Sequence, residues 1–274
     1  MKNILRNLYL AIVKMVDHDG VEHAGYMAFM MLLSIFPFFI FILAFTSFFG
    51  LSELGEMFIW FTVDNLPENS IAALKTRIDE MIANPPPGLL TLAILGTLWT
   101  ASSFIECLRT ILNRVYEVKT PPIYILRRLL SIFQFLIIIS AICFAMLILI
   151  IIPVILTKIH YFVILKYEYR SLINIAKYIF VFLSLFLTIS SLYFLIPNIS
   201  LKYSEVAPGA LLAVILWSAS GYLLTKYIIY YNQLSIVYGS LGSIIITLVF
   251  FYIINIIFII GAEFNFLQSH KKSD

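Results

Sequence analysis

Glu106 and Arg109 stand three residues apart in an apolar stretch, and Asn113 and Tyr116 continue the same helical face. That spacing lets a carboxylate and a guanidinium pair on one helix. Ionisable groups are costly inside a bilayer, so such a pair is a candidate for handling ions, protons or a polar substrate. The plainer alternative is a structural ion pair near a membrane edge. Asn255 and Glu263 lie on the last apolar stretch. An asparagine there more often ties two helices together than binds a ligand, and Glu263 is placed in the cytoplasmic headgroup zone. His18, Asp19, Glu22 and His23 gather before the first long apolar stretch. They offer metal-ligand chemistry on paper. Helix capping accounts for the acids, with Asp19 as N-cap and Glu22 as its capping-box partner. Cys107 and Cys143 have no ligand spacing and read as small apolar core residues. No catalytic residue, metal or cofactor is expected. Walker, nucleophile-elbow and zinc-pair patterns are absent from the sequence.

These residues must be held by something other than a soluble core. Of 274 residues, 62% are hydrophobic and 12% charged, against about 25% charged in a soluble domain. A surface that poor in charge must face lipid. Six stretches are long and apolar enough to span, at about 27–49, 89–112, 129–156, 173–196, 207–230 and 243–261. Their runs are continuous rather than alternating, which excludes a barrel. The expected fold is all-α: one membrane domain over residues 1–274, a polytopic helical bundle with six transmembrane helices and an N-terminal amphipathic helix. With the N-terminus inside, eleven basic residues fall in the cytoplasm and seven outside. That bias puts both termini in the cytoplasm. The net charge of +3 is too small to imply a nucleic-acid partner.

Residues 2–18 form an interfacial helix, with Ile4, Leu5, Leu8, Tyr9, Ile12, Val13 and Val16 on one face. Docking against the bundle is the alternative. Residues 51–88 form an extracytoplasmic cap with six acids against two bases. Pro37 and Pro153 interrupt spans and allow kinks. Leu98-Trp99-Thr100-Ala101-Ser102 resembles Leu216-Trp217-Ser218-Ala219-Ser220, with Asn113 and Asn232 following at similar distances. With six spans these helices run in opposite directions, so an inverted repeat with a path at its interface is one reading. Close packing of small residues is the other. Tyr238-Gly239-Ser240-Leu241-Gly242 reads as a tight turn rather than an ion filter.

Three blocks resemble the YihY/BrkB family of bacterial inner-membrane proteins, long mislabelled as ribonuclease BN. They are Ala24-Gly25-Tyr26-Met27-Ala28-Phe29 with Leu33-Ser34-Ile35-Phe36-Pro37; Leu98 to Ser102 with Leu108 and Leu112-Asn113-Arg114-Val115-Tyr116; and Pro208-Gly209-Ala210 with Tyr231-Asn232, Tyr238 to Gly242 and Gly261-Ala262-Glu263. Two positions depart from the family pattern. Phe250 and Phe251 stand near a usual tryptophan, and Gly25 replaces a usual alanine. The resemblance implies a six-helix inner-membrane protein linked to transport of lipid or another amphiphile, without its own ATPase. A scaffold or envelope assembly factor with no transport activity is the alternative, and the ribonuclease label reads as a misannotation. Expected partners are membrane lipids, then envelope proteins or a second copy; no nucleic acid is expected. Trp99, Ser102, Glu106, Arg109, Asn113, Trp217, Ser220, Asn232, Asn255 and Glu263 are the candidate path residues. Pro37, Pro153, Pro208, Gly209, Tyr238, Gly239 and Gly242 are the candidate turns or hinges.

Overall fold

Long apolar runs without β-type alternation fold as helices, because lipid leaves a backbone no other partner for its amides. The computed structural model describes residues 2–48, 89–119, 123–137, 140, 170–230 and 241–270. Among these there are seven helices and no strand. They are α1 (Lys2–Asp17), α2 (Gly20–Phe48), α3 (Leu89–Val115), α4 (residues 124–137), α5 (Arg170–Leu195), α6 (Tyr203–Tyr230) and α7 (Leu241–His270). Three helices are long and apolar enough to cross a membrane by length and composition, over Tyr178–Leu195, Tyr203–Tyr227 and Ile244–Ser269. Helix α2 runs without a break through Pro37. The cap at 51–88, Pro153, Asn232, Tyr238 and Gly239 lie outside the described residues, as does most of the third expected span.

The described helices group into two units. The first gathers α1, the end of α3, α4, α5, the first half of α6 and the end of α7. Its centre is a contact between glycines. A Cβ on Gly209 would lie 2.0 Å from the Gly261 carbonyl oxygen and 2.6 Å from the Asn265 side chain. A Cβ on Gly261 would lie 2.4 Å from the Tyr193 hydroxyl and 2.9 Å from the Gly209 carbonyl oxygen. Two backbones therefore touch where both side chains are missing, the device that lets helices pack closely in lipid. Polar bonds lock the crossing. The Gly209 amide donates to Asn265 Oδ1 at 2.6 Å, and Asn265 Nδ2 donates to the Val206 carbonyl at 3.0 Å. Tyr193 donates its hydroxyl to the Phe258 carbonyl at 2.6 Å. Pro208, inside α6, lacks an amide and crowds the preceding turn. The asparagine meets the backbone groups on either side of it.

Helices α1 and α3 of this unit meet at their C-termini. Each has a cation in its last turn, Lys14 and Arg114, where the dipole favours positive charge. Each is followed by an acid with left-handed backbone, Asp19 at φ 56° and Glu117 at φ 54°. The pairing is reciprocal: Arg114 reaches Asp19, and Lys14 lies 3.9 Å from Glu117. Arg114 also donates to the His18 carbonyl at 3.0 Å. These pairs are partly exposed, so each contributes at most about 1 kcal/mol. The α3 end is a Schellman turn, with Val118 bonding back to Asn113 at 2.8 Å and Glu117 to Arg114 at 3.1 Å. Asp19 departs from the expected N-cap role. An N-cap takes extended backbone, whereas a left-handed Asp19 ends α1. Two residues separate α1 from α2, so the sharp turn falls on that position.

The second unit holds α2 from Glu22, α3 up to Cys107, the end of α6 and α7 up to Asn255. Ala24, Met27, Ala28, Ala101 and Ile105 are buried in it. Its hydroxyls are mostly spent within their own helices: Thr100 on the Gly96 carbonyl at 2.9 Å, and Ser102 and Ser103 on the Trp99 carbonyl at 3.1 and 2.8 Å. Gly25 faces no close neighbour; a methyl there would meet only Tyr252, at 4.0 Å.

The glycines therefore separate into two kinds. Alanine at Gly209 or Gly261 is expected to lower unfolding stability by about 1–3 kcal/mol, as overpacking does. Gly25→Ala is expected to hold or raise the midpoint, since alanine in an open helix gains about 1 kcal/mol over glycine. Thermal unfolding of the purified protein in detergent separates the cases; equal gains at all three positions would contradict the close crossing.

Candidate functional site

Polar side chains buried among apolar helices concentrate in the first unit. Arg109 is only 1% exposed. Its guanidinium donates to Ser131 Oγ at 3.3 Å and to Gln134 Oε1, both on α4. Gln134 in turn donates to the Leu195 carbonyl at 2.7 Å, at the end of α5. This chain of bonds joins α3, α4 and α5. One helical turn further on, Asn113 and Asn198 form a two-bond clasp. Asn113 Nδ2 donates to Asn198 Oδ1 at 2.9 Å, and the Asn198 amide donates back to Asn113 Oδ1 at 2.8 Å.

Glu263 has a fully buried side chain, with Oε1 2.5 Å from Nδ1 of His18 and Oε2 buried without a hydrogen-bond partner among the described residues. It is covered by protein rather than open to its surroundings. α1 folds over it and brings His18 to it, which the helix's place in sequence did not disclose. Lys14 lies over the Phe266 ring, 4.8 Å from its centroid, and the Tyr116 and Phe266 rings meet edge to face at 6.2 Å. Burial pushes the Tyr116 phenol above its ordinary value of 10.0; the Asn265 side chain at the hydroxyl opposes this, and the carboxylates of Glu263 and Glu205 add to it.

The remaining candidates scatter. Trp99 is 69% exposed on α3, while Trp217 is half-buried on α6. Ser102 is buried and Ser220 half-buried. The two similar segments thus occupy unlike surroundings: Thr100 and Ala101 are buried, Ser218 and Ala219 exposed. Glu106 is half-buried on the same helix as Arg109. Asn255 is buried; its Nδ2 donates to the Phe251 carbonyl at 2.8 Å and reaches Met31 Sδ on α2 at 3.4 Å. That is the helix tie expected of it. Gly242 is buried at the start of α7. Among the described residues no three His, Cys, Asp or Glu side chains gather as a metal site.

Several residues of the network escaped the sequence reading. Gln134, Ser131, Asn198 and Tyr193 belong to no motif and were not singled out. Asn265 did carry a signal. It stands four residues after Gly261, on the same helical face, where only a polar group could serve the backbone around Pro208.

Long lipid-facing helices whose polar side chains are tied inside the bundle define an α-helical membrane protein. The chain belongs to the virulence factor BrkB family, whose profile matches residues 11–274. It is 30% identical over 259 residues to "Putative ribonuclease-like protein YfkH" of Bacillus subtilis, covering 93% of this chain and 92% of the relative. It is 29% identical over 261 residues to "UPF0761 membrane protein" of Vibrio campbellii, covering 92% of this chain and 79% of the relative. It is also 29% identical over 264 residues to "UPF0761 membrane protein" of Aliivibrio fischeri, covering 93% and 81%. No solved structure matches the chain.

The raised Tyr116 phenol has a consequence for stability. The folded protein keeps its proton at pH values where the unfolded chain has released it. Stability present below the ordinary value of 10.0 is therefore lost as pH rises past it. Tyr116→Phe is expected to flatten this alkaline fall in a series of unfolding midpoints. At neutral pH it is expected to cost no more than about 1 kcal/mol, the usual net worth of one hydrogen bond, here the hydroxyl's interaction with the Asn265 side chain. An unchanged alkaline limb would contradict the assignment.

Proposed function

We propose that this is a six-span protein of the bacterial inner membrane, with both termini cytoplasmic, that moves envelope lipid or another amphiphile without an ATPase of its own. The observation that carries the reading is the buried Arg109. A guanidinium at membrane depth is expensive, and such groups mark substrate paths by default. Its bonds to Ser131 and Gln134 orient it without exposing it. A fixed positive charge of this kind suits the phosphate of a lipid headgroup.

Six crossings are supported by the six long apolar stretches of the sequence, and three of the described helices are long and apolar enough to cross. The cytoplasmic side is supported by the bias of basic residues.

A scaffold without transport is favoured by a different observation. Asn113, Asn198, Asn265 and Tyr193 spend their hydrogen bonds on one another or on backbone. That is how a structural network behaves. Self-association or envelope proteins would then be the partners. The ribonuclease-like name of the Bacillus relative is not carried over, and we read the chain as no enzyme.

Purified protein in liposomes is expected to move labelled lipid between leaflets faster than empty liposomes. Arg109→Gln is expected to slow this several-fold, while Gly25→Ala, which leaves the path alone, keeps the full rate. No movement across several envelope lipids, with a stable stoichiometric complex recovered by crosslinking, would favour the scaffold instead.

A further inference from the structure

The first helix has two different faces. Asn7, Ala11 and Met15, spaced by four, are buried and form its docked side. Leu5, Tyr9, Ile12 and Val16, spaced four, three and four, form a second stripe that stays exposed, Leu5 at 64% and Tyr9 at 67%. The larger apolar face of α1 is thus not the one that packs on protein. Its rotation is pinned: His18 holds Glu263, Lys14 lies against Phe266 and Glu117, and Arg114 holds Asp19 and the His18 carbonyl. Turning the stripe inward would break all of these.

Three features identify what covers the stripe. α1 ends two residues before α2, a long apolar helix, so it is tethered at a membrane boundary. The stripe is aliphatic with one tyrosine, a composition suited to the zone between headgroups and acyl chains. Beside it Arg6 is exposed, and Lys2 stands four residues earlier on the same flank. Basic residues at that level attract anionic lipid.

We infer that α1 is an interfacial helix, with Leu5, Tyr9, Ile12 and Val16 seated among the lipids of an anionic leaflet and Arg6 at its phosphates. The inference does not depend on transport, and a failure of lipid movement would leave it standing.

Spin labels at single cysteines test it, in the full chain with Cys107→Ala and Cys143→Ala, reconstituted in vesicles of phosphatidylcholine with phosphatidylglycerol. Labels at Leu5→Cys, Tyr9→Cys, Ile12→Cys and Val16→Cys are expected to meet dissolved oxygen more than a water-soluble nickel chelate. A label at Asp17→Cys is expected to show the reverse. In phosphatidylcholine alone, or with Arg6→Gln, nickel access at Tyr9 is expected to rise several-fold. Stripe labels that meet nickel freely in the anionic vesicles would overturn the proposal. Stripe labels shielded from both reagents would overturn it too, and would assign the face to a protein partner or a second copy. Equal nickel access in both vesicle types would overturn the anionic-leaflet assignment.

Discussion

Two backbones in contact, at Gly209 on α6 and Gly261 on α7, are what the first unit is built around. Lipid chains are as apolar as leucine, so burial gives membrane helices little reason to associate. Close van der Waals approach and bonds between helices must supply the attraction. The missing side chains open a notch on each helix, and both notches are filled. The Tyr193 hydroxyl fills one, and the Gly209 carbonyl enters the same space. Asn265 bridges the backbone across Pro208, and the two glycines permit the approach.

From that crossing outward, each polar side chain has a mechanical task. Asn113 and Asn198 clasp the end of α3 to the connection after α5. The clamp at the ends of α1 and α3 is weak in each exposed pair, but it fixes the rotation of α1 and so decides which face looks outward. Arg109 differs in kind. Amides and hydroxyls can be satisfied inside a bundle at modest cost, whereas a buried charge needs a reason beyond packing. That contrast separates a candidate path residue from the structural network around it. The second unit, with hydroxyls folded back on their own helices, contains no comparable charge among its described buried residues.

The helices were legible because their signal is composition over many residues. α3, α5 and α6 begin and end within four residues of the expected stretches, whereas α2 starts seven residues earlier and α7 runs nine further; α1 is a helix over the segment expected at residues 2–18. The blocks Pro208-Gly209-Ala210 and Gly261-Ala262-Glu263 were visible as motifs. What they do was not, because a contact between residues 52 positions apart leaves no local pattern. The partner of Glu263 was hidden for the same reason: His18 stands 245 positions away. Asp19 was read as a cap for the helix after it and instead closes the helix before it, since both roles favour the same residue type. The Trp99 and Trp217 segments are alike in sequence but differ in burial, which depends on neighbours that no local pattern names.

His18 at the end of α1 meets Glu263 near the end of α7, and the topology we propose puts both on one side of the membrane. Cysteines placed near each terminus, in intact cells treated with an impermeant thiol reagent, test this most directly. The account predicts that both stay protected until the cells are opened, and then both react. One terminus reacting in intact cells while the other stays protected would require an odd number of crossings and would contradict it.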